Sequence, residues 1–275
     1  MHINGRLVLI TGASSGIGAA TARAVARAGG RPILVARTRS ALEAVAAEIR
    51  AAGGQTWVYP ADLADPAAVE EAASQIMREV GVPDILIHSA GAGRWLFVEE
   101  TTAAEAMQMM AAPYFTAFYT TRAFLPAMLQ RRSGHIVAIN SPVSRCVWPG
   151  ATGYAAARWA LRGFTEALRA DLHGTGLRVT AVVPGLVTSA YFDHNRGALE
   201  RAPKIGRLVP SLTPEQVAAG SLWAIEHNRR EHVMPLMLRL FYWLHGLAPG
   251  LVEWLLVRTG WHRRDLKTME VTTQP

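Results

Sequence analysis

Cysteine, lysine and charge of either sign are all scarce in this chain of 275 residues. The only cysteine is Cys146, which excludes an intramolecular disulfide and any zinc site built from several cysteines. The histidines lack a metal-ligand spacing such as HExxH, so we expect no metal site. A single thiol is compatible with a reducing compartment, and the first residues do not read as a signal peptide. We therefore expect a cytoplasmic protein.

Charged residues make up only 18% of the chain, whereas half of the residues are apolar. This balance argues against disorder and predicts a sizeable core. Lys204 and Lys267 are the only lysines, so the net charge of +7 comes almost entirely from arginine. The arginines are scattered and accompany no nucleic-acid-binding module, so we expect no nucleic-acid partner.

No Pro/Gly-rich linker and no internal repeat divides the chain. Short, nearly continuous apolar runs predict buried strands, and longer helical patterns lie between them. The predicted strands are Arg6–Thr11, Arg31–Ala36, Thr56–Pro60, Asp84–His88, His135–Asn140 and Arg178–Val183; the predicted helices are Gly18–Ala28, Ser40–Ala52, Pro66–Val80, Thr102–Arg131 and Tyr154–Leu172. This alternation predicts an α/β fold, a doubly wound parallel sheet with helices on both faces. We expect one domain over residues 1–232, followed by an extension over 233–275.

The predicted extension is very apolar and rich in aromatic residues. It contains no clean membrane span, because prolines and charged residues interrupt the apolar runs. Two short amphipathic helices joined by Gly246–Gly250 are expected instead. They could lie in a membrane interface as a peripheral contact, roof a lipophilic substrate pocket, or pair with another subunit.

A glycine-rich loop, TGASSGIG, follows the first predicted strand and opens the first predicted helix. In this position glycines permit a tight turn, and backbone N–H groups at the helix N-terminus can hold a pyrophosphate. The pattern predicts a dinucleotide-binding domain of the Rossmann type. The candidate contacts are Thr11, Gly12, Ser14, Ser15, Gly16, Ile17 and Gly18.

The second predicted strand lacks an acidic residue at its end. An acid there commonly holds the ribose hydroxyls of NAD(H). This chain has Arg37 and Arg39 instead, whose guanidinium groups suit a 2′-phosphate. The sequence therefore favours NADP(H), with NAD(H) as the alternative.

Together these motifs resemble the short-chain dehydrogenase/reductase family, over roughly Gly5 to Val233. The chain has HSAG where that family usually has NNAG, and Pro184 and Gly185 match its proline–glycine turn. The resemblance implies further cofactor contacts from Asp62, Leu63, Ser89, Ala90, Gly91, Pro184, Gly185, Val187 and Ser189. His88 could contact the ribose or the substrate, or it could serve only to pack the core.

Ser141 precedes Tyr154 by thirteen residues, which is the family spacing of the catalytic serine and tyrosine. Reduction of a ketone requires a proton donor and hydrogen bonds at the developing alkoxide. The resemblance implies that Tyr154 donates or accepts the proton, and that Ser141 orients the carbonyl.

The chain departs from the family pattern at two positions. Arg158 replaces the lysine of YxxxK; an arginine can still lower the pKa of a neighbouring tyrosine and hold the ribose, but it cannot readily release a proton. Pro113 replaces a helical asparagine and should kink the long helix. We expect the carbonyl freed by this kink to be able to hold a water molecule.

The resemblance implies an oxidoreductase that transfers hydride between NADP(H) and a lipophilic ketone or secondary alcohol. The alternative is a catalytically silent or non-redox protein of the same fold that binds a nucleotide. A homodimer or homotetramer is expected. The segment with Tyr191, Phe192 and His194 is expected to form a lid over the substrate.

Overall fold

A computed structural model describes residues 1–91, 93–189, 195 and 198–263. Its centre is a seven-stranded parallel sheet with the order β3-β2-β1-β4-β5-β6-β7. The strands are β1 (Leu7–Thr11), β2 (Arg31–Ala36), β3 (Trp57–Pro60), β4 (Ile85–His88), β5 (Gly134–Ile139), β6 (Leu177–Pro184) and β7 (Glu231–Met234). The predicted doubly wound sheet is confirmed, and its six predicted strands correspond to β1–β6.

Helices cover both faces of the sheet. The main ones are α1 (Gly16–Arg27), α2 (Arg39–Ala51), α3 (Pro66–Glu79), α4 (Ala103–Met110), α5 (Thr116–Arg131), α6 (Thr152–Asp171), α7 (Pro214–Glu226), α8 (Leu236–Leu247) and α9 (Pro249–Thr259). Side chains alternate along a strand, so Val8 and Ile10 pack against α1, α2 and α7. Leu7 and Leu9 point to the opposite face and pack against α3, α5 and α6.

The direction of winding reverses between β1 and β4. The chain proceeds from β1 outward to β3, returns to β4 beside β1, and then proceeds outward to β7 on the other side. In such sheets a crevice opens at the carboxyl ends of the two central strands. The glycine loop after β1 and the HSAG segment at the end of β4 both lie at this point.

The long helix predicted over Thr102–Arg131 is divided by a π-helical turn at Ala111–Phe115. Pro113 lies inside this turn, where its missing N–H removes a helical hydrogen bond. The carbonyl that precedes the proline, that of Ala112, accepts a hydrogen bond from the hydroxyl of Thr116. The π-helical turn therefore interrupts the long helix at the predicted position, and the Thr116 hydroxyl is the partner that the structure shows for this carbonyl.

Two elements near the C-terminus, α7 and β7, are not among the predicted ones. Strand β7 includes Val233, so the sheet extends past the boundary expected at residue 232. The expected pair of short helices follows as α8 and α9, which meet at Ala248. Within the described part of the chain, no helix has the length and hydropathy needed to cross a membrane.

Two buried histidines lie on neighbouring strands of the sheet. The Nε2 atom of His88 is 2.9 Å from the hydroxyl of Thr121, and that of His135 is 2.8 Å from the hydroxyl of Thr180. Burial disfavours the charged ring, which lowers the pKa of His88 to about 4 and that of His135 to about 3. Both rings are therefore neutral in the folded protein near pH 7.

We expect the free energy of unfolding to decrease as the pH falls below about 6.5, by about 1.4 kcal/mol per pH unit for each of these histidines. The reason is that the unfolded chain takes up protons that the folded chain excludes until pH about 4 or about 3. Urea denaturation between pH 7.5 and 5 measures this slope. In His88→Gln, whose amide can retain a bond to Thr121, the slope should decrease by about 1.4 kcal/mol per pH unit. If the free energy of unfolding depends on pH with the same slope in the wild type and in His88→Gln, His88 is not held neutral in the folded protein.

Candidate active site

The glycine loop packs closely against itself where β1 turns into α1. A Cβ added at Gly18 would overlap the carbonyl oxygen of Gly12, so a larger residue at position 18 would force the loop apart. Helix α1 begins at Gly16, and its first N–H groups face the loop. This turn therefore has the shape and the positive end of a helix dipole that a pyrophosphate requires.

Thr11 is the only predicted residue of this loop that does not line the cavity beside it. Its side chain is buried, and its Oγ1 atom accepts hydrogen bonds from the N–H groups of Ser89 at 3.1 Å and Ala90 at 3.2 Å. Thr11 fixes the loop after β4 against the loop after β1.

The two arginines after β2 have different positions. Arg37 is exposed and lines the cavity, whereas Arg39 is the first residue of α2 and does not line it. Asp62 and Leu63, which follow β3, line the same end of the cavity. Oδ1 of Asp62 accepts a hydrogen bond from the N–H of Ala64 at 3.0 Å. Of the two predicted cations, only Arg37 lines the cavity.

Ser141 lies directly beyond β5, at the start of a 3₁₀ turn. Its N–H donates to Oδ1 of Asn140 at 2.8 Å, and its carbonyl accepts from the hydroxyl of Ser144 at 2.7 Å. Tyr154 is the third residue of α6, and its ring packs 6.1 Å from that of Trp95, centroid to centroid. Both Ser141 and Tyr154 line the cavity.

Arg158 lies one helical turn after Tyr154, as the spacing predicts. Its guanidinium carbon is 5.1 Å from the centroid of the Tyr154 ring, and Nη1 donates to the carbonyl of Ile139 at 3.1 Å. A Cβ added at Gly91 would lie 2.5 Å from Nη2, so the guanidinium fills the space beside that glycine. Nε is buried and has no hydrogen-bond partner among the described residues. Arg158 therefore brings a buried cation with an unused donor to the wall of the cavity.

His88 does not contribute to the cavity. Its imidazole is buried behind β4 against Thr121 on α5, and burial keeps its pKa near 4. Of the two alternatives left open by the sequence, packing is the one that the structure shows.

The end of β6 forms another part of the cavity wall. The N–H of Gly185 donates to the carbonyl of Met234 on β7 at 2.8 Å, and Val187 forms a parallel bridge with Leu212. Pro184 and Ser189 line the cavity together with Gly185 and Val187. The predicted lid residues Tyr191, Phe192 and His194 lie outside the described residues.

A single cavity of about 1330 Å³ brings nearly all predicted site residues together. All of them line it except Thr11 and Arg39: Gly12, Ser14, Ser15, Gly16, Ile17, Gly18, Arg37, Asp62, Leu63, Ser89, Ala90, Gly91, Ser141, Tyr154, Arg158, Pro184, Gly185, Val187 and Ser189. Its volume exceeds the range of roughly 300–1,000 Å³ that is usual for a ligand pocket, which leaves space for two molecules side by side.

Five lining residues belong to the C-terminal helices, and the sequence does not identify any of them. They are Leu238, Phe241 and Tyr242 on α8, with Val252 and Leu256 on α9. The only sequence signal was the apolar character of this segment, which was compatible with a pocket roof. Of the three alternatives for the extension, a role as a pocket wall is thus supported by the structure.

Tyr242 also reaches the turn beside Ser141. Its hydroxyl donates to the carbonyl of Pro142 at 3.3 Å, and the guanidinium of Arg145 lies 4.9 Å from the centroid of its ring. Burial raises the pKa of the Tyr242 hydroxyl. Cys146, in the same turn, also lines the cavity; burial raises the pKa of its thiol to about 11, so it is uncharged and unreactive near pH 7.

Comparison with known proteins agrees with this geometry. The chain matches the family model described as short chain dehydrogenase over residues 6–199. It is 34% identical over 264 residues to dehydrogenase/reductase SDR family member 7B of Bos taurus (91% of this chain, 80% of the relative). It is 32% identical over 252 residues to a fatty acyl-CoA reductase of Acinetobacter baylyi (91% and 82%). A solved short-chain dehydrogenase of Sphingobium yanoikuyae in complex with NADPH aligns with a TM-score of 0.76 and 25% identity (96% and 99%).

Substitution of Gly18 by alanine should weaken NADPH binding at least tenfold, because the added methyl group would push the carbonyl of Gly12 out of the loop. Titration followed by nicotinamide fluorescence measures the dissociation constant. The matched control is Gly163→Ala on α6, where nothing lies within 4 Å of the added Cβ. Equal affinities in the two variants would show that the loop does not hold the dinucleotide.

Proposed function

Because this chain belongs to the short-chain dehydrogenase family and is an NAD(P)-dependent oxidoreductase, we propose that it transfers hydride between NADP(H) and a lipophilic ketone or secondary alcohol. The observation that carries the proposal is the convergence of Ser141, Tyr154 and Arg158 on one cavity. The glycine loop lines the same cavity. A dinucleotide held by the loop and a substrate beside Tyr154 would thus share one enclosure.

The residues of the cavity fit a nicotinamide dinucleotide. The glycine loop lines the cavity where α1 begins, so the first N–H groups of α1 can bind a pyrophosphate. The Nε atom of Arg158, which is buried and has no partner among the described residues, can donate to a ribose hydroxyl. Residues from Pro184 to Ser189 would contact the nicotinamide. When bound, this cofactor supplies or accepts the hydride; the protein supplies the proton chemistry and the orientation.

Tyr154 donates the proton to the developing alkoxide in the direction of reduction and removes it in the direction of oxidation. Ser141 orients the carbonyl by a hydrogen bond and stabilises the charge that accumulates on its oxygen. Arg158 keeps its positive charge 5.1 Å from the centroid of the Tyr154 ring and can bind a ribose hydroxyl. Because a guanidinium does not release its proton, Arg158 cannot relay protons from solvent, and we infer that turnover is slower than a lysine would allow.

The preference for NADP(H) rests on Arg37. It is exposed at the cavity rim where β2 ends, and residues 37–42, directly after β2, include no acid that would repel a phosphate. A guanidinium binds phosphate with two parallel hydrogen bonds, so a 2′-phosphate at this position gains binding energy that NAD(H) lacks.

A lipophilic substrate is favoured by the inner wall. Trp95, Trp148, Phe241 and Leu256 all line the cavity beside Tyr154 or opposite to it. Apolar walls with few polar groups select ligands by burying apolar surface. The fatty acyl-CoA reductase among the relatives carries a fatty acyl substrate in its name, which points in the same direction.

We also propose that the chain forms a homodimer or homotetramer. Phe115 and Phe118 are partly exposed beside Tyr114, Tyr119 and Phe164 and form an aromatic surface near the start of α5. Aromatic surfaces of this kind are enriched in subunit interfaces.

Removal of the Tyr154 hydroxyl in Tyr154→Phe should reduce kcat for a panel of lipophilic ketones by about 10²–10⁴-fold while NADPH affinity changes little. The control is Tyr119→Phe on α5, which does not line the cavity. Stopped-flow absorbance of NADPH measures turnover, and nicotinamide fluorescence measures binding. If the wild-type protein binds NADPH but reduces no ketone, the silent or non-redox alternative is supported instead.

Replacement of Arg158 by lysine should raise kcat severalfold, because a lysine can pass on the proton that Arg158 retains. Arg162→Lys, one turn further along α6, is the matched control and should leave kcat unchanged. Its side chain donates to the carbonyl of Ser144 and does not line the cavity. The idea of a restricted proton relay is wrong if Arg158→Lys has the same kcat as the wild type or a lower one.

A further inference from the structure

The C-terminal hairpin, defined here as α8 and α9 (Leu236–Thr259), is apolar on two opposite faces. Its inner face lines the cavity through Leu238, Phe241, Tyr242, Val252 and Leu256. A helix pair that only closed a pocket would be expected to present polar residues to water on its other side. The outer face of this hairpin does not.

The outer face consists of large apolar side chains at helical spacing. Trp243 and Leu247 are each 76% exposed. The residues at this spacing are Leu236, Leu240, Trp243 and Leu247 on α8, with Leu251, Trp254 and Val257 on α9; all are exposed, as are Met237 and Leu244 beside them. Positions 236, 240, 243 and 247 follow one another at steps of three or four residues, which places them on one side of α8. Soluble monomers rarely expose a continuous apolar surface of this kind without using it for binding.

The hairpin carries two arginines and one acidic residue, so its charge is net positive. Arg239 and Arg258 are both exposed, each one turn from a tryptophan of the outer face. The guanidinium carbon of Arg258 is 5.8 Å from the centroid of the Trp254 ring. Glu253 is the only acidic residue between positions 236 and 263. Tryptophan and arginine at the edge of an apolar face are typical of helices that lie in the headgroup region of a bilayer.

We propose that the outer face of the hairpin docks on an anionic lipid bilayer and lies flat in its interface. Helices of 12 and 11 residues are about 17 Å long, too short to cross the hydrocarbon core. The apolar side chains enter the acyl boundary, while Arg239 and Arg258 pair with lipid phosphates. A second copy of the chain would bury the same apolar surface, but it would oppose these arginines to one another, whereas an anionic surface neutralises them.

One consequence rests on the function proposed above. Because the hairpin lies between the cavity and the proposed lipid contact, docking would hold the cavity close to the bilayer, where lipophilic substrates concentrate. The enzyme would then act on substrates held in the membrane better than on equally reactive substrates held in detergent.

Flotation of the full-length protein with vesicles tests the docking directly. One set of vesicles contains phosphatidylcholine alone, and the other contains phosphatidylcholine mixed with phosphatidylglycerol. The wild-type protein should float with the anionic vesicles, and high salt should weaken the binding. The double variant Trp243→Glu/Leu247→Glu should bind at least tenfold less. Met107→Glu is the matched control, since Met107 is 74% exposed on α4 and lies outside the hairpin; it should bind like the wild type.

Two outcomes would overturn the proposal: no flotation of the wild-type protein with either kind of vesicle, or equal flotation of the wild type and the double variant. If light scattering shows that only the double variant loses an oligomer, and the wild type does not float, a second copy covers this face instead. Reduction of lipophilic ketones presented in detergent micelles should be equal in all three proteins. Absence of that reaction across the ketone panel in the wild type refutes the proposed function, while flotation still decides the docking.

Discussion

The hydroxyl of Thr11 holds together the two loops on which the cavity depends. It accepts the N–H groups of Ser89 and Ala90 at the point where the winding of the sheet reverses. Without this acceptor, two partly buried donors would lose their partner, at a cost of roughly 1–3 kcal/mol each. The spacing between the glycine loop and Gly91 follows from this contact, and with it the width of the crevice. A residue that does not line the cavity thus determines its shape.

Arg158 imposes a second constraint, which is electrostatic. Its guanidinium is buried, and the partners that the described residues give it are neutral, namely the carbonyl of Ile139 and the ring of Tyr154. A buried cation without a neutralising partner is unfavourable, so the site gains stability from a negative charge nearby. Where the family pattern has a lysine, this chain has an arginine, which also carries a positive charge but does not readily release a proton.

The features that could be predicted from the sequence are those that local spacing determines. The TGASSGIG loop and the four-residue step from Tyr154 to Arg158 each depend on one turn or one helix, so the pattern specifies the geometry. The thirteen-residue separation of Ser141 and Tyr154 spans a 3₁₀ turn and the start of α6, and it was recognised through the family resemblance. The indirect role of Thr11 and the position of Arg39 outside the cavity depend on how the chain turns after each strand. The hairpin residues that line the cavity could not be identified, because they meet Ser141 only through contacts about 100 residues apart in the sequence. The hydrogen bond from the Thr116 hydroxyl to the carbonyl of Ala112 depends on a π-helical turn, which the residue pattern does not predict.

The hydrogen bond from Tyr242 to the carbonyl of Pro142 joins the hairpin to the turn that carries Ser141. Two surfaces that share such a contact obey thermodynamic linkage. Suppose that a partner bound to the outer face shifts this turn and changes the affinity of the cavity for its ligand by some factor. A ligand bound in the cavity must then change the affinity of the outer face for that partner by the same factor. The hairpin then couples the two surfaces in both directions. The coupling free energy depends on how strongly the Tyr242 hydroxyl holds the carbonyl of Pro142 in place.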